Sequence, residues 1–367
     1  MADNKYLILA INPGSTSTKF AVFENDKSIF EKTVRHPPED FAKCVQIKDQ
    51  KNIRLKYIMD ALKEKSLGLE AFQAVVARGG ITAPVPSGTY DVNEKMLHDL
   101  TDEKGGASAH ASCLGGIIAA DIAKNYKIPA FIVDPVVVDE LIPEARISGI
   151  PEIERKPTFH ALNTKAVARL IAKQMGMNYN EARLVVVHMG GGVTIGAHRY
   201  GKVIDVNNAV TGEGPFSPER SGALPAAPLI EMCFSGKYTK DQLLAFLQKS
   251  GGIKAYLNTN DMRDVEKLSG EGDAKATLLL NAMAYQIAKE VGAMVAALEG
   301  RVDAIILTGG IAYSNLINGL IKKYVDRFAP VRSYPGELEM EALAWGALRI
   351  LRGEEKPSVY TGKNIVR

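Results

Sequence analysis

The sequence predicts an α/β fold made of two similar domains, and three observations support it. The chain has 367 residues, more than a single hydrophobic core usually serves, so two domains are expected. Short apolar runs typical of buried strands alternate with amphipathic helical stretches. A strand–turn–strand pattern occurs twice, about half a chain apart, which indicates an ancient duplication.

The first copy of this pattern lies near the N-terminus. The apolar run Leu7–Ile11 leads into the small and polar stretch Asn12–Lys19, and a second apolar run, Phe20–Phe23, follows it. Two apolar runs joined by a tight turn predict a β-hairpin.

The second copy has the same plan. The apolar run Leu184–Val187 leads into His188–Gly196, and Ala197–Tyr200 ends the pattern. Gly14 of the first copy aligns with Gly190 of the second. The common register supports the interpretation that each domain begins with the same hairpin.

Helical segments and a third turn follow the hairpins. Asn163 or Thr164 is predicted to cap one helix, and Asp273 is predicted to cap a long helix that runs to Glu299. A glycine turn, Thr308–Ala312, follows another apolar run, and a last amphipathic helix comes after it.

The proline-containing stretch Pro143–Pro157 is the expected junction of the domains. We therefore expect an N-terminal domain over residues 1–155 and a C-terminal domain over 156–335. The C-terminal helix, 336–353, is expected to pack back on the first domain.

Composition excludes several classes of function. The net charge is only +3, too small to favour nucleic acid or an anionic membrane surface as a partner. No stretch approaches the roughly 20 apolar residues of a membrane span. The three cysteines are widely separated and match no metal or redox spacing. We expect a protein of the reducing cytoplasm.

The glycine turns have the composition of anion-binding sites. Small residues after a buried strand allow backbone N–H groups to converge on an anion. In the first turn, Ser15 and Ser17 add hydroxyl donors and Lys19 adds a counter-charge, whereas Gly190–Gly192 offers backbone groups alone. One such turn can simply join two strands, but three together indicate phosphate binding.

Other nucleotide-binding motifs are absent from the sequence. No Gly-Lys pair is followed by Ser or Thr, so a P-loop is excluded. The stretch Gly212-Glu213-Gly214 lacks the third glycine of a dinucleotide fingerprint.

Taken together, the motifs resemble those of the acetate kinase family. Asn12–Lys19 resembles its opening phosphate motif, in the Pro-Gly-Ser-Thr-Ser form associated with butyrate kinases. His188–Gly192 resembles its second phosphate loop, Thr308–Ile311 its adenosine loop and Asn260–Arg263 its Asp-x-Arg nucleotide segment. The resemblance implies two duplicated ribonuclease H-like α/β domains with an ATP cleft between them, as in the sugar kinase–actin–heat-shock chaperone superfamily.

The resemblance also implies a function. It implies an enzyme that transfers a phosphoryl group reversibly between ATP and butyrate, or a branched short-chain fatty acid. Mg²⁺ is the implied cofactor, and a homodimer or higher homo-oligomer is the implied assembly. An acetate or propionate kinase is the nearest alternative. An actin-like or chaperone-like ATP switch is the alternative from another class, and it needs no acyl-transfer site.

Transfer of a phosphoryl group to a carboxylate brings two anions together, so the site needs positive charge rather than a strong base. The resemblance implies that Arg220 holds the transferring group and that His160 donates a hydrogen bond to it. Asp134, which follows the apolar run Ala130–Val133, resembles the family aspartate near the metal.

The implied nucleotide and metal ligands come from all the motifs. Asn12 and Glu341 are implied to hold Mg²⁺, with Glu339 as an alternative to Glu341. The residues implied to bind ATP are Asn12, Ser15, Ser17, Lys19, His188, Gly190, Gly191, Gly192, Asp261, Arg263, Gly309, Gly310 and Ile311.

The acyl site is where the sequence departs from the family. Arg78 stands directly before Gly79 and Gly80, where acetate kinases have a histidine. A role in binding the acyl carboxylate therefore competes with a role in positioning that turn. The resemblance implies an acyl site lined by Ala77, Arg78, Ala109, His110 and Phe159, in which the two alanines leave room for the chain of butyrate.

Overall fold

The computed structural model describes residues 5–102 and 111–363 of the chain. The chain forms two compact units. Unit 1 comprises Met1–Asp139 and Leu338–Arg367, and unit 2 comprises Glu140–Glu337.

The first boundary between the units lies earlier than the expected one at residue 155. The Glu140 carboxylate accepts a hydrogen bond from Lys165 Nζ (2.9 Å) in unit 2. The Ile142 N–H donates to the Ile204 carbonyl of the same unit (3.0 Å). Because the polar groups of this stretch are satisfied by unit 2, residues from 140 onward belong to it.

Groups of strands and groups of helices follow one another along the described residues. In chain order the strands are β1 Leu7–Pro13, β2 Ser17–Glu24, β3 Lys27–Arg35, β4 Ala74–Arg78, β5 Thr89–Asp91, β6 Ala130–Val133, β7 Arg183–Met189, β8 Val193–Arg199, β9 Lys202–Val206, β10 Ala304–Gly309 and β11 Val331–Pro335. The α-helices are α1 Lys51–Glu64, α2 Glu94–Thr101, α3 Cys113–Tyr126, α4 Pro143–Arg146, α5 Ala161–Gln174, α6 Ala226–Phe234, α7 Lys240–Ala245, α8 Gly252–Leu257, α9 Met262–Gly270, α10 Ala274–Ala297, α11 Asn315–Val325 and α12 Glu339–Leu351. Short 3-10 helices span Pro38–Phe41, Ile47–Gln50, Leu69–Ala71 and Gly310–Tyr313, and a π-helix spans Phe246–Ser250.

The two units contain the same arrangement of strands. The order is β3-β2-β1-β4-β6-β5 in unit 1 and β9-β8-β7-β10-β11 in unit 2. In each unit three antiparallel strands are followed by two strands parallel to the first strand of the hairpin. Unit 1 adds β5, which is antiparallel to β6. The shared order confirms the predicted α/β class with a duplicated domain.

Both predicted hairpins are present. β1 pairs with β2 up to Pro13, which lies opposite Thr18, and β7 pairs with β8 up to Met189, which lies opposite Val193. Both first strands are almost completely buried, as their continuous apolar runs indicate. The two glycine turns therefore occupy the same place in the two sheets.

Each sheet has its own apolar core. In unit 1, Ile11 and Val75 pack with Leu114 of α3. The helix α12 packs on β1, β4 and β6, and its Gly346 permits close approach because a Cβ there would overlap the Val133 side chain. In unit 2, α10 packs on β7, β8 and β9.

Local signals predicted the start of one helix and missed another. Asp273 caps α10 as predicted, since its carboxylate accepts from the Ala276 N–H (2.8 Å). The predicted cap of α5 was wrong, because the helix begins at Ala161 and Thr164 already lies inside it. The N–H and hydroxyl groups of Thr164 both donate to the His160 carbonyl (2.9 Å each). Within the described ranges, no helix is long and apolar enough to cross a membrane.

Candidate functional site

The first glycine turn, residues 14–17, is closed by its own backbone. The Gly14 N–H donates to the Ser17 carbonyl (2.8 Å), and the Thr16 carbonyl accepts from the His36 N–H (2.9 Å). Ser15 and Thr16 are exposed. The side chains of Ser15 and Thr16 therefore face solvent, while the carbonyl groups of Thr16 and Ser17 accept hydrogen bonds from the protein.

Arg54 of α1 contacts this turn, and the sequence motifs did not identify it. Its guanidinium donates to the carbonyls of Ser15 (3.1 Å) and Ser17 (2.7 Å). A signal was nevertheless present in the sequence. Arg54 shares the buried stripe of α1 with Ile58 and Leu62, and a charged residue at such spacing on an apolar face is unusual.

Lys19, the predicted counter-charge, is engaged elsewhere. Its Nζ forms an ion pair with Glu31 on the neighbouring strand (2.9 Å), and both side chains are exposed. Arg54 is therefore the cation that the structure places against the first turn.

A second polar cluster in unit 1 joins the ends of β1 and β4 to the start of α12. Glu339 Oε2 accepts hydrogen bonds from Asn12 Nδ2 (2.7 Å) and from the guanidinium of Arg78 (3.2 Å). The structure thus brings Asn12 together with Glu339, which was the alternative to Glu341. We name Asn12, Arg78 and Glu339 the carboxylate cluster.

Asp134 lies at the same edge of the sheet as the carboxylate cluster. It follows β6, which is the parallel neighbour of β4, and carboxyl ends of adjacent parallel strands meet at one edge. Asp134 is buried, and its Oδ1 accepts from the Gly88 N–H (2.8 Å). Its backbone has a left-handed conformation (φ 37°), which is strained for a residue other than glycine.

The predicted acyl-site residues do not all come together. Ala77 is buried in the core of unit 1 beside Gly115 of α3. It points to the opposite face of β4 from Arg78, because successive side chains of a strand alternate. The expected pairing of these two residues in one pocket therefore does not occur. Phe159 is buried in unit 2, and Ala109 and His110 lie outside the described residues.

In unit 2 the second glycine turn carries Arg220 at its side. A Cβ added at Gly192 would overlap the Arg220 guanidinium, so the two are in close contact. Arg220 also donates to the Ala209 carbonyl (3.1 Å), and burial lowers the pKa of Arg220 from its usual value. Ser217 connects the loop to the turn through a hydrogen bond from its hydroxyl to the Gly191 carbonyl. The predicted catalytic arginine thus lies at the predicted phosphate loop.

His160 lies beside the strand that leads into this turn. Its ring stacks on that of His188 with centroids 3.8 Å apart and an angle of 14° between the rings. His160 Nδ1 lies 3.2 Å from the Thr194 hydroxyl, and His188 Nδ1 lies 2.9 Å from the Asn163 side chain. The imidazole of His160 is therefore held beside the two strands, β7 and β8, that flank the second glycine turn.

A cavity of about 780 Å³ in unit 2 is lined by six of the thirteen residues predicted to bind ATP. The side chain of Arg263 donates to the Asp261 carboxylate through Nε (2.9 Å), and its backbone N–H donates to the same carboxylate (3.0 Å). Together these hydrogen bonds lower the pKa of Asp261 to about 2. Gly309 has a left-handed backbone (φ 88°), which favours glycine. A Cβ at this position would also overlap the Met189 backbone. The residues that line the cavity are Gly190, Gly191, Pro218, Asn260, Asp261, Met262, Arg263, Glu266, Gly310, Ile311, Tyr313 and Ser314.

The oxygen atoms of the carboxylate cluster fit Mg²⁺ held largely through water. Asn12 and Glu339 provide amide and carboxylate oxygens, which this hard cation prefers. In the part of the chain that the structure describes, no group of three or more His, Cys, Asp or Glu side chains could hold a metal alone. Such a donor set suits a cation that keeps several waters and binds phosphate.

Comparison with known proteins agrees with this geometry. Residues 151–321, which include His160, His188 and Arg220, match the Acetokinase family. The fold is similar to that of Porphyromonas gingivalis acetate kinase, with a TM-score of 0.78 and 18% identity over 94% of this chain and 100% of that one.

Two further solved structures have a similar fold. A propionate kinase from Francisella tularensis subsp. tularensis SCHU S4 gives a TM-score of 0.74 and 19% identity over 93% of this chain and 98% of its own. Acetate kinase from Entamoeba histolytica gives a TM-score of 0.74 and 17% identity, over 93% of this chain and 98% of its own. Residues 151–321 are thus similar in sequence to the Acetokinase family, and the fold of the chain is similar to that of acetate and propionate kinases.

Proposed function

We propose that the protein is an ATP-dependent carboxylate kinase whose preferred acid is butyrate or a branched short-chain fatty acid. The observation that carries this proposal is the contact of the Arg220 guanidinium with Gly192 in the second glycine turn. A cation fixed beside an anion-binding turn stabilises the charge that spreads over a transferring phosphoryl group. An ATP switch of the actin or chaperone type has no need of it.

Each remaining residue has a role in this proposal. The cavity of unit 2 takes the nucleotide, with Asp261 and Arg263 at its adenosine and Gly190–Gly192 at its phosphates. Arg78 takes the carboxylate of the acid. Since that carboxylate is already ionised at neutral pH, the reaction needs no general base. Asn12 and Glu339 would hold Mg²⁺, which would supply further positive charge to the phosphates.

His160 has the narrower role of hydrogen-bond donor to the transferring group. Its stacking on His188 fixes the plane of its ring, so the donor is oriented before the substrates arrive. The products are an acyl phosphate and ADP, and the transfer is reversible because the acyl phosphate, like ATP, holds a reactive phosphoryl group.

The test is an assay that traps acyl phosphate as the hydroxamate, with ATP, Mg²⁺ and a ladder of linear and branched acids. Each buried CH₂ contributes about 0.8 kcal/mol, so the two extra methylenes of butyrate should raise kcat/KM about tenfold over acetate. Hydrolysis of ATP without any hydroxamate would instead support the ATP switch. A preference for acetate or propionate would assign the protein to those kinases.

Ala109→Leu provides a second comparison in the same assay. The resemblance places this alanine at the acyl chain, where a larger side chain would fill the room for the extra methylenes. The ratio of kcat/KM for butyrate over acetate should therefore fall. An unchanged ratio would remove Ala109 from the acyl site.

A further inference from the structure

Arg54 is completely buried beneath the first glycine turn. All five of its guanidinium N–H groups donate to neutral oxygens: those of Ser15, Ser17, Thr18 and, twice, Gln50. Among the residues that the structure describes, no carboxylate forms an ion pair with it. Burial lowers the pKa of Arg54 to about 10, so the side chain keeps its charge at neutral pH.

Stability alone does not account for an arginine at this position. Arg54 lies near the beginning of α1, where the helix macrodipole disfavours a cation. A buried charge without an opposite charge also destabilises a fold. The Phe41 ring, whose centroid lies 5.0 Å from Arg54 Cζ, offers only a modest cation–π contact. An apolar side chain of similar size would fill the same space without burying a charge, but it would leave the carbonyls of Ser15 and Ser17 without these donors.

The hydrogen bonds of Arg54 set the direction of the peptide groups in the turn. Arg54 binds the carbonyls of Ser15 and Ser17, and the His36 N–H binds the carbonyl of Thr16. The C=O and N–H of a trans peptide point in opposite directions. The N–H groups of Thr16 and Ser17 therefore point away from these inner donors. Outward-directed amides with a cation behind them form a site for an anion.

We propose that Arg54 is a positioning residue for the nucleotide phosphates, because it orients the first turn and supplies positive charge to it from inside the fold. The inference rests on the proposed function, in which residues 14–17 bind phosphate. The charge of Arg54 acts through a low-dielectric interior, where screening by salt is weak. Lys19, exposed and paired with Glu31, cannot act in the same way.

The test compares the binding of ATP and of adenosine by Arg54→Met in the full chain, measured by calorimetry. Methionine keeps an apolar stem of similar length but removes the charge and all five donors. ATP should bind at least tenfold more weakly, while adenosine, which lacks phosphate, should bind within twofold of wild type. Lys56→Met is the matched control, since Lys56 is exposed on the same helix; it should leave both affinities unchanged.

Each outcome decides between the possibilities. ATP affinity within twofold of wild type in folded Arg54→Met overturns the proposal and leaves Arg54 a structural residue. Equal loss of ATP and adenosine binding overturns it too. If that variant does not fold, Arg54→Lys decides, because lysine keeps a charge without the planar fork. Its affinity for ATP should be at least threefold lower than that of wild type, and an unchanged affinity rejects the proposal. Wild-type protein that binds ATP no better than adenosine would reject the proposed function itself.

Discussion

At the scale of single residues, the two glycine turns receive their positive charge in different ways. Arg54 binds the first turn from the buried side through its carbonyls, whereas Arg220 lies beside the second. The sequence identified Arg220 because its loop resembles a known one. It did not identify Arg54, whose neighbours in sequence are ordinary helix residues and whose role depends on a turn some 40 residues away.

Replacing Arg220 should separate binding from chemistry. Arg220→Ala should lower kcat by about 10³–10⁵, the range for a transition-state arginine, while ATP binding stays nearly intact. Initial rates at saturating ATP and acid, with calorimetry for ATP, provide the measurement. Arg301→Ala is the control, because Arg301 is an exposed arginine of the same unit. Retention of more than a tenth of wild-type kcat by Arg220→Ala would exclude this role.

The acidic side chains show what sequence cannot resolve at this scale. Glu339 and Glu341 both lie in the first turn of α12, two positions apart, so they point in very different directions around the helix. Only the packing of α12 on the sheet decides that Glu339 meets Asn12. The same limit applies to Ala77, whose face of β4 is set by the core.

At the scale of elements, local patterns predicted what local interactions determine. The hairpins and the Asp273 cap depend on neighbouring residues, and both are present. The start of unit 2 is marked instead by contacts such as the ion pair between Glu140 and Lys165, which no local sequence pattern reveals. The boundary was therefore the less accurate prediction.

The helix α6 leads to a prediction about assembly. Its segment exposes several large apolar side chains, among them Ile230 (56% exposed) and Phe234 (87%). Exposed apolar side chains on one helix are typical of an interaction site. Because the sequence resemblance implies a homo-oligomer, we predict that a second copy of the chain covers them in a symmetric dimer. Phe234→Glu should shift the protein from dimer towards monomer at micromolar concentration, as measured by light scattering.

The control for this prediction is Gln248→Glu, which adds the same charge at another exposed position nearby. It should leave the mass of the particle unchanged. A wild-type protein that is monomeric, or a Phe234→Glu variant with undiminished mass, would show that α6 is no dimer interface.

At the scale of the whole molecule, each unit buries a histidine that prefers to be neutral. Burial and nearby Arg54 lower the pKa of His36 against the smaller opposing effect of Asp40. Burial, Lys165 and Arg169 lower the pKa of His198 well below its usual value. Between the folded pKa and the unfolded value of about 6.5, the unfolded chain binds more protons. The free energy of unfolding should therefore fall as pH drops below about 6.5.

Urea unfolding at pH 7.5 and pH 5.5 measures this effect. One titrating histidine contributes at most about 1.4 kcal/mol per pH unit to the pH dependence of the free energy of unfolding. His36→Asn should therefore lose less stability than wild type on going from pH 7.5 to pH 5.5, and the difference between the two slopes should not exceed that value. His98→Asn is the control, because His98 is an exposed side chain of unit 1. Equal pH dependence in wild type and His36→Asn would show that His36 titrates alike in the folded and unfolded states.

The return of Leu338–Arg367 to unit 1 has a consequence for biosynthesis. A ribosome makes Asn12 and Arg78 early, then the whole of unit 2, and only afterwards Glu339, which joins them. A nascent chain can therefore complete the cavity of unit 2 while its carboxylate cluster still lacks Glu339. A chain terminated before residue 338 would retain the residues of unit 2 proposed to hold nucleotide and would lack Glu339, which we propose to lie near the metal. Phosphoryl transfer, in the function proposed above, would then begin only after Glu339 has been made and has joined Asn12 and Arg78.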